Sequence, residues 1–417
     1  MSTPIDPITQ AVRAGLESDP ETGAVVPPIH LSTTFAFRAF GEKGDYDYTR
    51  SGNPTRDLLA EALAELEGGA GGIITATGMA AVTLIGYLLP GGSRIVAPHD
   101  CYGGTYRLFA AWQKRGELAT EFVDFADETA VRRALAAPTA LLWIETPSNP
   151  LLRITDIARF AALGHERGAL VVVDNTFLSP LWQRPIALGA DIVVHSTTKY
   201  LNGHSDVVGG AVIARTQEHH EQLAWWANCL GLTGAPFDSY MTLRGLRTLD
   251  ARLKCHGYNA LALAEWLHKQ PGVERVYYPG LPSHPGHEVA RRQQRGFGGV
   301  VTLELAGGTE AVRAFASGLK CFSLAESLGG VESLIAHPAT MTHAGMDPEA
   351  RRRAGLGDGL IRLSVGIEAL EDLRGDLDAA LARARNAHGQ SHAAPRTPLE
   401  SPCFAATIGV SRPSEKA

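Results

Sequence analysis

Between residues 72 and 195, short apolar runs alternate with stretches of amphipathic, helix-like periodicity. The runs fall at 72–75, 94–97, 121–125, 140–144, 170–173 and 191–194, and 154–166 reads as one of the helices between them. Strands buried on both faces appear as continuous apolar runs, and strands separated by helices align in parallel, because each crossover carries the chain back over the sheet. The pattern predicts an α/β fold whose mainly parallel central sheet is covered by helices on both faces. A helix over 59–66 leads into it, broken by Gly68-Gly69-Ala70-Gly71-Gly72.

The flanks differ in texture. Residues 1–58 carry Pro27-Pro28 and scattered aromatics without a long helical period, as expected of an extended arm laid over something else, a partner subunit being one candidate. Residues 59–255 form the main domain. From about Cys255 a helix at 260–270, proline-rich loops at 279–285 and a strand-like run at 299–305 predict a smaller C-terminal α+β domain over 256–386. Residues 387–417 hold Pro395, Pro398, Pro402 and Pro413 among few large apolar residues, and are expected to be a disordered tail.

Composition excludes several functions. Lys and Arg number 38 against 44 Asp and Glu, a net charge of −6, so there is no basic excess to bind a phosphate backbone, and nucleic acid is not expected as a partner. The five cysteines form no C-x-x-C pair, which spells neither a zinc knuckle nor a disulfide framework and fits a reducing compartment. The N-terminus lacks a basic segment followed by an apolar one, and no run reaches the ~18 apolar residues of a membrane span; a cytoplasmic protein without a membrane partner is expected. His287-Glu288 is followed by Arg291 where a two-histidine zinc site needs a histidine, so no metal is expected. No Walker-type phosphate loop, nucleophile elbow or G-x-G-x-x-G spacing occurs.

Three of the runs end in polar clusters: Glu145-Thr146-Pro147-Ser148-Asn149, Asp174-Asn175-Thr176 and His195-Ser196-Thr197-Thr198-Lys199. Ligands of open α/β sheets bind just beyond the carboxyl ends of the strands, so the clusters are candidates for one shared site. A lysine beside a turn is ordinarily a solvated surface residue, and an aspartate there ordinarily a turn former. Lys199 nevertheless follows a buried-looking strand, and burial disfavours the ammonium form and frees the amine for a Schiff base. Pyridoxal phosphate needs such an amine, a carboxylate to keep its ring nitrogen protonated, and donors for its phosphate. Lys199 and Asp174 answer the first two needs. Ser196, Thr198 and the helix start at Gly78-Met79 answer the third, since free N–H groups and the helix dipole favour an anion.

Four strings carry a resemblance. Tyr48-Thr49-Arg50-Ser51-Gly52-Asn53-Pro54-Thr55-Arg56, Asp174-Asn175-Thr176-Phe177, the segment from Ser196-Thr197-Thr198-Lys199-Tyr200 to Asp206-Val207, and Ala325-Glu326-Ser327-Leu328-Gly329-Gly330 resemble the Cys/Met-metabolism family of pyridoxal-phosphate enzymes, from about Ile8 to Arg385. The resemblance implies a fold type I pyridoxal-phosphate transferase working on small amino-acid substrates as a homotetramer, a dimer of dimers. It implies Lys199 as the cofactor-bearing lysine and proton shuttle, Asp174 as partner of the ring nitrogen and Tyr102 as the ring stacked on the cofactor. Gly78, Met79, Ser196 and Thr198 are implied as phosphate ligands, joined by Tyr48 and Arg50 of a neighbouring subunit. Arg362 resembles the arginine that clamps the substrate α-carboxylate, assisted by Asn149 and Ser327. Asp47, Arg107, Asn228 and Glu326 resemble residues of the outer, substrate-discriminating pocket.

Segments such as Pro98-His99-Asp100-Cys101-Tyr102-Gly103-Gly104 and Thr342-His343-Ala344-Gly345-Met346 favour the family's γ-replacing members. The implied reaction joins O-succinyl-L-homoserine and L-cysteine into L-cystathionine and succinate. Elimination from cystathionine by a γ-lyase and direct sulfhydrylation of an acylhomoserine are the alternatives, with a catalytically retired scaffold as a reading from another class. One position departs from the pattern: where γ-replacing relatives can carry a second arginine after the phosphate-binding one, this chain has Ser51. That departure weakens the expected anchoring of a succinyl carboxylate and leaves Arg107 as the candidate to compensate.

Overall fold

The computed structural model describes residues 5–393. Its larger sheet has seven strands: β1 (Gly71–Thr75), β2 (Arg94–Pro98), β3 (Ala119–Val123), β4 (Leu141–Glu145), β5 (Leu170–Asp174), β6 (Ile192–His195) and β7 (Gly210–Ala214). They lie in the order β1-β7-β6-β5-β4-β2-β3, and β7 alone runs against the others. Every residue of β4, β6 and β7 is buried, the consequence of helices covering both faces. The register places Glu145 beside Asp174, and Asp174 beside Val194, so the carboxyl ends of β4, β5 and β6 form one edge.

The reading of the chain as strands alternating with helices holds, with local differences. The leading helix spans Pro54–Glu67, starting earlier than expected because Asn53 caps it, accepting from the Thr55 and Arg56 amides at 3.0 and 3.3 Å, with Pro54 preset for the first turn. β3 sits two residues earlier than the apolar run at 121–125; Phe125 is buried but lies past the strand. β7 was not anticipated. It opens with Gly210-Ala211, and Gly210 is required there, since a Cβ would meet Thr75 Oγ1 at 2.6 Å and press on the Thr77 carbonyl.

The smaller sheet has the order β10-β11-β12-β9-β8, from β8 (Val273–Tyr277), β9 (Val300–Leu305), β10 (Phe322–Leu324), β11 (Ser333–Ala336) and β12 (Leu360–Ser364). The expected boundary at 255/256 falls inside one continuous helix, Leu249–Leu267, which packs against both parts; the junction is a helix and not a linker. At the other end, the helix Leu370–Ala393 includes residues 387–393, which were assigned to the tail. Nothing in that stretch forbids helical backbone until the neighbourhood of Pro395. Residues 394–417, the remainder of the expected tail, lie outside the described residues. Among the described residues no helix is long and apolar enough to cross a membrane, and no cluster of His, Cys, Asp and Glu is suited to a metal ion.

Candidate active site

A cavity of about 430 Å³ opens at the carboxyl ends of β4, β5 and β6. Its floor comes from the large sheet and its far wall from the smaller domain, through Glu326, Ser327, Met341, Thr342 and Arg362. Lys199 lies in the turn after β6 and donates from Nζ to Ser327 Oγ at 2.8 Å. Burial lowers its pKa from 10.5 to about 8, helped by the Arg362 charge and opposed by Glu326. Ser327 holds a positive φ of 90°, a strained conformation for a non-glycine residue. That conformation turns its hydroxyl to Lys199 and its carbonyl to Arg362 Nη2, which donates to it at 2.6 Å.

Arg362 is 2% exposed and stands on β12 with neutral partners only: the Ser327 carbonyl and Asn149 Oδ1, the latter at 3.0 Å from Nη1. Its Nε has no hydrogen-bond partner. Burial depresses its pKa to about 10. A buried guanidinium with a free donor and no carboxylate bonded to it is suited to take one from a ligand.

Asp174 ends β5 and accepts from the Thr176 amide at 3.0 Å. Glu145 ends β4, its Oε2 accepting from the Tyr102 amide at 2.7 Å and its Oε1 from the Asn149 amide at 3.2 Å. Burial raises both acids, and Asp174 pushes Glu145 further up, well above the carboxylate range, whereas the hydrogen bonds from Thr176, and after them His195, favour the ionised form of Asp174. Of the two, Glu145 is pushed further towards its neutral form.

Opposite Lys199, the helix Gly78–Gly86 points its N-terminus into the cavity. Thr77 Oγ1 caps it by accepting from the Ala80 amide at 2.9 Å, and the amides of the first turn before Ala80 have no partner within the helix. A Cβ on Gly78 would sit 2.9 Å from Ser196 Cβ, filling the space between the helix end and the Ser196 hydroxyl. The helix end and the Ser196 hydroxyl thus lie side by side on the cavity wall, where together they form a cradle for an anion.

Residues 8–382 match the profile described as Cys/Met metabolism PLP-dependent enzyme. The chain is 57% identical over 372 residues to cystathionine γ-synthase of Escherichia coli, covering 89% of this chain and 96% of that protein. It is 51% identical over 375 residues to cystathionine β-lyase of Coxiella burnetii, covering 89% and 97%. A solved cystathionine γ-synthase from Xanthomonas oryzae pv. oryzae, in complex with aminoacrylate and cysteine, superposes with a TM-score of 0.91 at 61% identity over 92% of this chain and all of that one. The chain belongs to the Cys/Met-metabolism family of pyridoxal-phosphate enzymes. Its fold is the fold type I architecture of that family.

The residues present fit this cofactor: an amine of lowered pKa, a carboxylate at the end of β5 lining the same cavity as the anion cradle, hydroxyls at Ser196 and Thr198, and Tyr102 on the cavity wall with a half-exposed ring able to stack. The Thr198 hydroxyl is also tied to Gly209, whose amide donates to it at 3.0 Å. Of the residues expected in the site, Gly78, Met79, Tyr102, Arg107, Asn149, Asp174, Ser196, Thr198, Lys199, Glu326, Ser327 and Arg362 all line the one cavity.

Asp47, Tyr48, Arg50 and Asn228 do not line it in this chain. Asp47 is held at the arm's surface by Lys43 at 3.0 Å, Ser51 Oγ at 2.8 Å and the Tyr48 amide at 2.6 Å, bonds that lower its pKa to about 2. The Arg50 guanidinium lies 5.7 Å from the Tyr48 ring centre. Asn228 sits on the helix Gln217–Leu230, its Oδ1 buried without a partner.

Sequence reasoning missed Thr77, and it named Glu145 in the cluster after β4 without giving it a role. Thr77 is legible as a hydroxyl placed just before Gly78 and three residues before Ala80, in the capping position. Glu145 is legible as the lone acid ending an otherwise apolar strand. His195, expected among the polar cluster, closes β6 and turns away instead, bonding Glu67 at 2.7 Å with both side chains 0–1% exposed.

Proposed function

We propose that the protein catalyses γ-replacement, joining an O-acyl-L-homoserine, O-succinyl-L-homoserine foremost, with L-cysteine to give L-cystathionine and the free acid. The observation that carries this reading is the identity of 57% and 61% to the γ-synthases of Escherichia coli and Xanthomonas oryzae, against 51% to the β-lyase of Coxiella burnetii, which itself stands above the 49% of the mycobacterial γ-synthases. When bound, pyridoxal phosphate supplies a carbonyl for the substrate amine and an electron sink for the electrons released at Cα and Cβ.

The chain's own residues supply the rest. Arg362, backed by Asn149, takes the α-carboxylate in a fork that a lysine lacks. Lys199 Nζ would carry one proton at a time: it would take the proton at Cα, pass it to the electron-sink carbon of the bound cofactor, and as the neutral amine again take one at Cβ. The Cγ–O bond breaks, the acyl carboxylate leaves, and the cysteine thiolate forms the Cγ–S bond. Lys199 then returns protons to Cβ and Cα. Asp174 keeps the ring nitrogen protonated throughout, and Ser327 holds the lysine when it is not bound.

Tyr48 and Arg50 complete the phosphate site of a neighbouring copy in this reading, with Asp47 and Asn228 at the outer pocket, within a cytoplasmic homotetramer. Arg107, beneath the 341–346 loop with its side chain within 3.4 Å of the space a Cβ on Gly345 would take, is the cation available to an acyl carboxylate.

The deciding assay supplies cysteine with O-succinyl- or O-acetyl-homoserine and measures cystathionine, alongside cystathionine alone with 2-oxo acid release as readout. Cystathionine formation from the succinyl ester is expected; 2-oxo acid release with no synthesis overturns the reading. Some lyase turnover is a second reading, favoured by Ser51 and by the β-lyase relative. On that account Ser51→Arg raises kcat/KM for the succinyl ester relative to the acetyl ester by roughly tenfold, the worth of one charge-assisted bond.

A further inference from the structure

Glu145 is the one buried acid of the cavity that the reaction above leaves without a task. It joins two parts of the site, the Tyr102 turn and the Asn149–Arg362 pair, alongside the bond that Ser148 Oγ donates to Asp100 Oδ2 at 2.7 Å. Its Oε2 holds the amide of Tyr102, the residue immediately before the helix Gly103–Arg115. Its Oε1 holds the amide of Asn149, whose side chain accepts from Arg362. From Arg362 the bonds continue through the Ser327 carbonyl, and from the Ser327 hydroxyl to Lys199 Nζ. A single chain of hydrogen bonds thus runs from the ring-bearing Tyr102 to the cofactor-bearing lysine, with Glu145 spanning its widest step.

We propose that Glu145 is a positioning residue that sets the spacing between the Tyr102 stacking surface and the Asn149–Arg362 carboxylate clamp. The proposal rests on the reading of Arg362 as the clamp and Tyr102 as the stacked ring. Two amides bound to the two oxygens of one buried carboxyl cannot move apart without leaving an unsatisfied buried donor, which is the costly outcome. The two bonds are unequal. The Tyr102 bond, at 2.7 Å, is the closer of the two, and the Asn149 bond, at 3.2 Å, is the looser.

The inequality separates the variants. In Glu145→Gln the amide oxygen keeps the Tyr102 bond and the NH2 group faces the Asn149 amide, donor against donor, so the clamp is released while the stacking surface stays. Glu145→Ala releases both. Glu145→Asp keeps a carboxyl but is one methylene shorter and cannot span both amides.

The test uses full-length protein and two probes that differ by a carboxylate, L-alanine and ethylamine, with binding to the loaded enzyme read from the cofactor's absorbance. Pyridoxal-phosphate affinity of the cofactor-free chain and Tm are measured in parallel. Arg362→Ala is the reference. It is expected to erase most of the preference for alanine, and if it does not, the reading of Arg362 fails, independently of Glu145. With that reference in place, Glu145→Gln is expected to cut the alanine-to-ethylamine preference roughly tenfold, with cofactor affinity within about threefold of wild type. Adding Glu145→Gln to Arg362→Ala should then lower the preference no further, as coupling through one clamp requires. Glu145→Ala should also weaken cofactor binding roughly tenfold. Glu145→Asp should reduce the preference as Gln does, and it stands in for any variant that does not fold. An unchanged preference in both Gln and Asp variants, or a lowered Tm with the preference intact, overturns the proposal.

Discussion

At the scale of single residues, burial sets the chemistry. Lys199 is lowered to about 8 from 10.5 chiefly by loss of water around its ammonium. Between those values the unfolded chain binds more protons than the folded one, so the lysine costs the cofactor-free chain stability at neutral pH, and that cost is relieved as pH rises from 8 towards 10.5. The same shift has a kinetic signature. Covalent uptake of pyridoxal phosphate by the cofactor-free chain should accelerate with pH about a midpoint near 8, as followed by absorbance; a midpoint near 10.5 would show a solvated lysine. Lys199→Ala should bind the cofactor without the covalent step, and borohydride reduction of wild type should place the adduct on Lys199. Asp174→Asn removes the carboxylate proposed to keep the ring nitrogen protonated. It should lower kcat by at least ~100-fold with Tm little changed, because the electron sink and not the fold depends on that charge. Activity near wild type in steady-state assays would reduce Asp174 to a turn former.

At the scale of elements, the site is built from strand ends and helix starts held by buried polar pairs. Gly78→Ala places a methyl 2.9 Å from Ser196 Cβ in the anion cradle. Alanine is a better helix former than glycine, so helix stability should not suffer. The expected result is cofactor affinity weakened at least ~10-fold, measured by titrating the cofactor-free chain, with unchanged circular dichroism. On the other face of the sheet, the Glu67–His195 pair ties the end of the helix Pro54–Glu67 to the end of β6, and Glu67 also accepts from Asn175 at 2.8 Å. Removing one partner of such a pair strands the other without water. Glu67→Ala is therefore expected to destabilise the chain by roughly 3–5 kcal/mol, read by urea denaturation without cofactor. A cost below ~1 kcal/mol would mean that the pair is neutral in the folded state.

At the scale of the whole molecule, the N-terminal arm is the segment that the proposed assembly accounts for. Leu31, Phe37 and Phe40 are 69%, 53% and 107% exposed, large apolar side chains on a segment that carries the two phosphate-binding candidates missing from this chain's own cavity. If Tyr48 and Arg50 serve a neighbour, inactive Lys199→Ala and Arg50→Ala chains should regain activity when their subunits are exchanged. Each mixed dimer then has one site with the Lys199 of one chain and the Arg50 of the other, and at random mixing half of the dimers are mixed. No recovery after exchange verified by mass spectrometry would confine each site to a single chain.

What the amino-acid sequence determined by itself was whatever rests on local periodicity and short-range chemistry. The strand runs at 94–97, 140–144, 170–173 and 191–194 survive within two residues, because an apolar run in a sheet covered on both faces admits no other placement. The polar clusters that follow β4, β5 and β6 do meet in one cavity, since parallel strands bring their carboxyl ends to one edge. The functional strings around Asp174 and Lys199 were likewise readable. Tertiary structure alone decided what depends on contacts between distant segments. The pairing of Glu145 with Asp174, the Glu145 bridge between Tyr102 and Asn149, and the meeting of Arg362 with Asn149 across 213 positions leave no trace in local pattern. His195 was read with the site and belongs behind it, because the alternation of side chains along β6 sends it to the opposite face from Ser196. Charge states followed the same division: residue type supplies an ordinary pKa, and only burial, a property of the folded whole, moves Lys199 and Glu145 away from it.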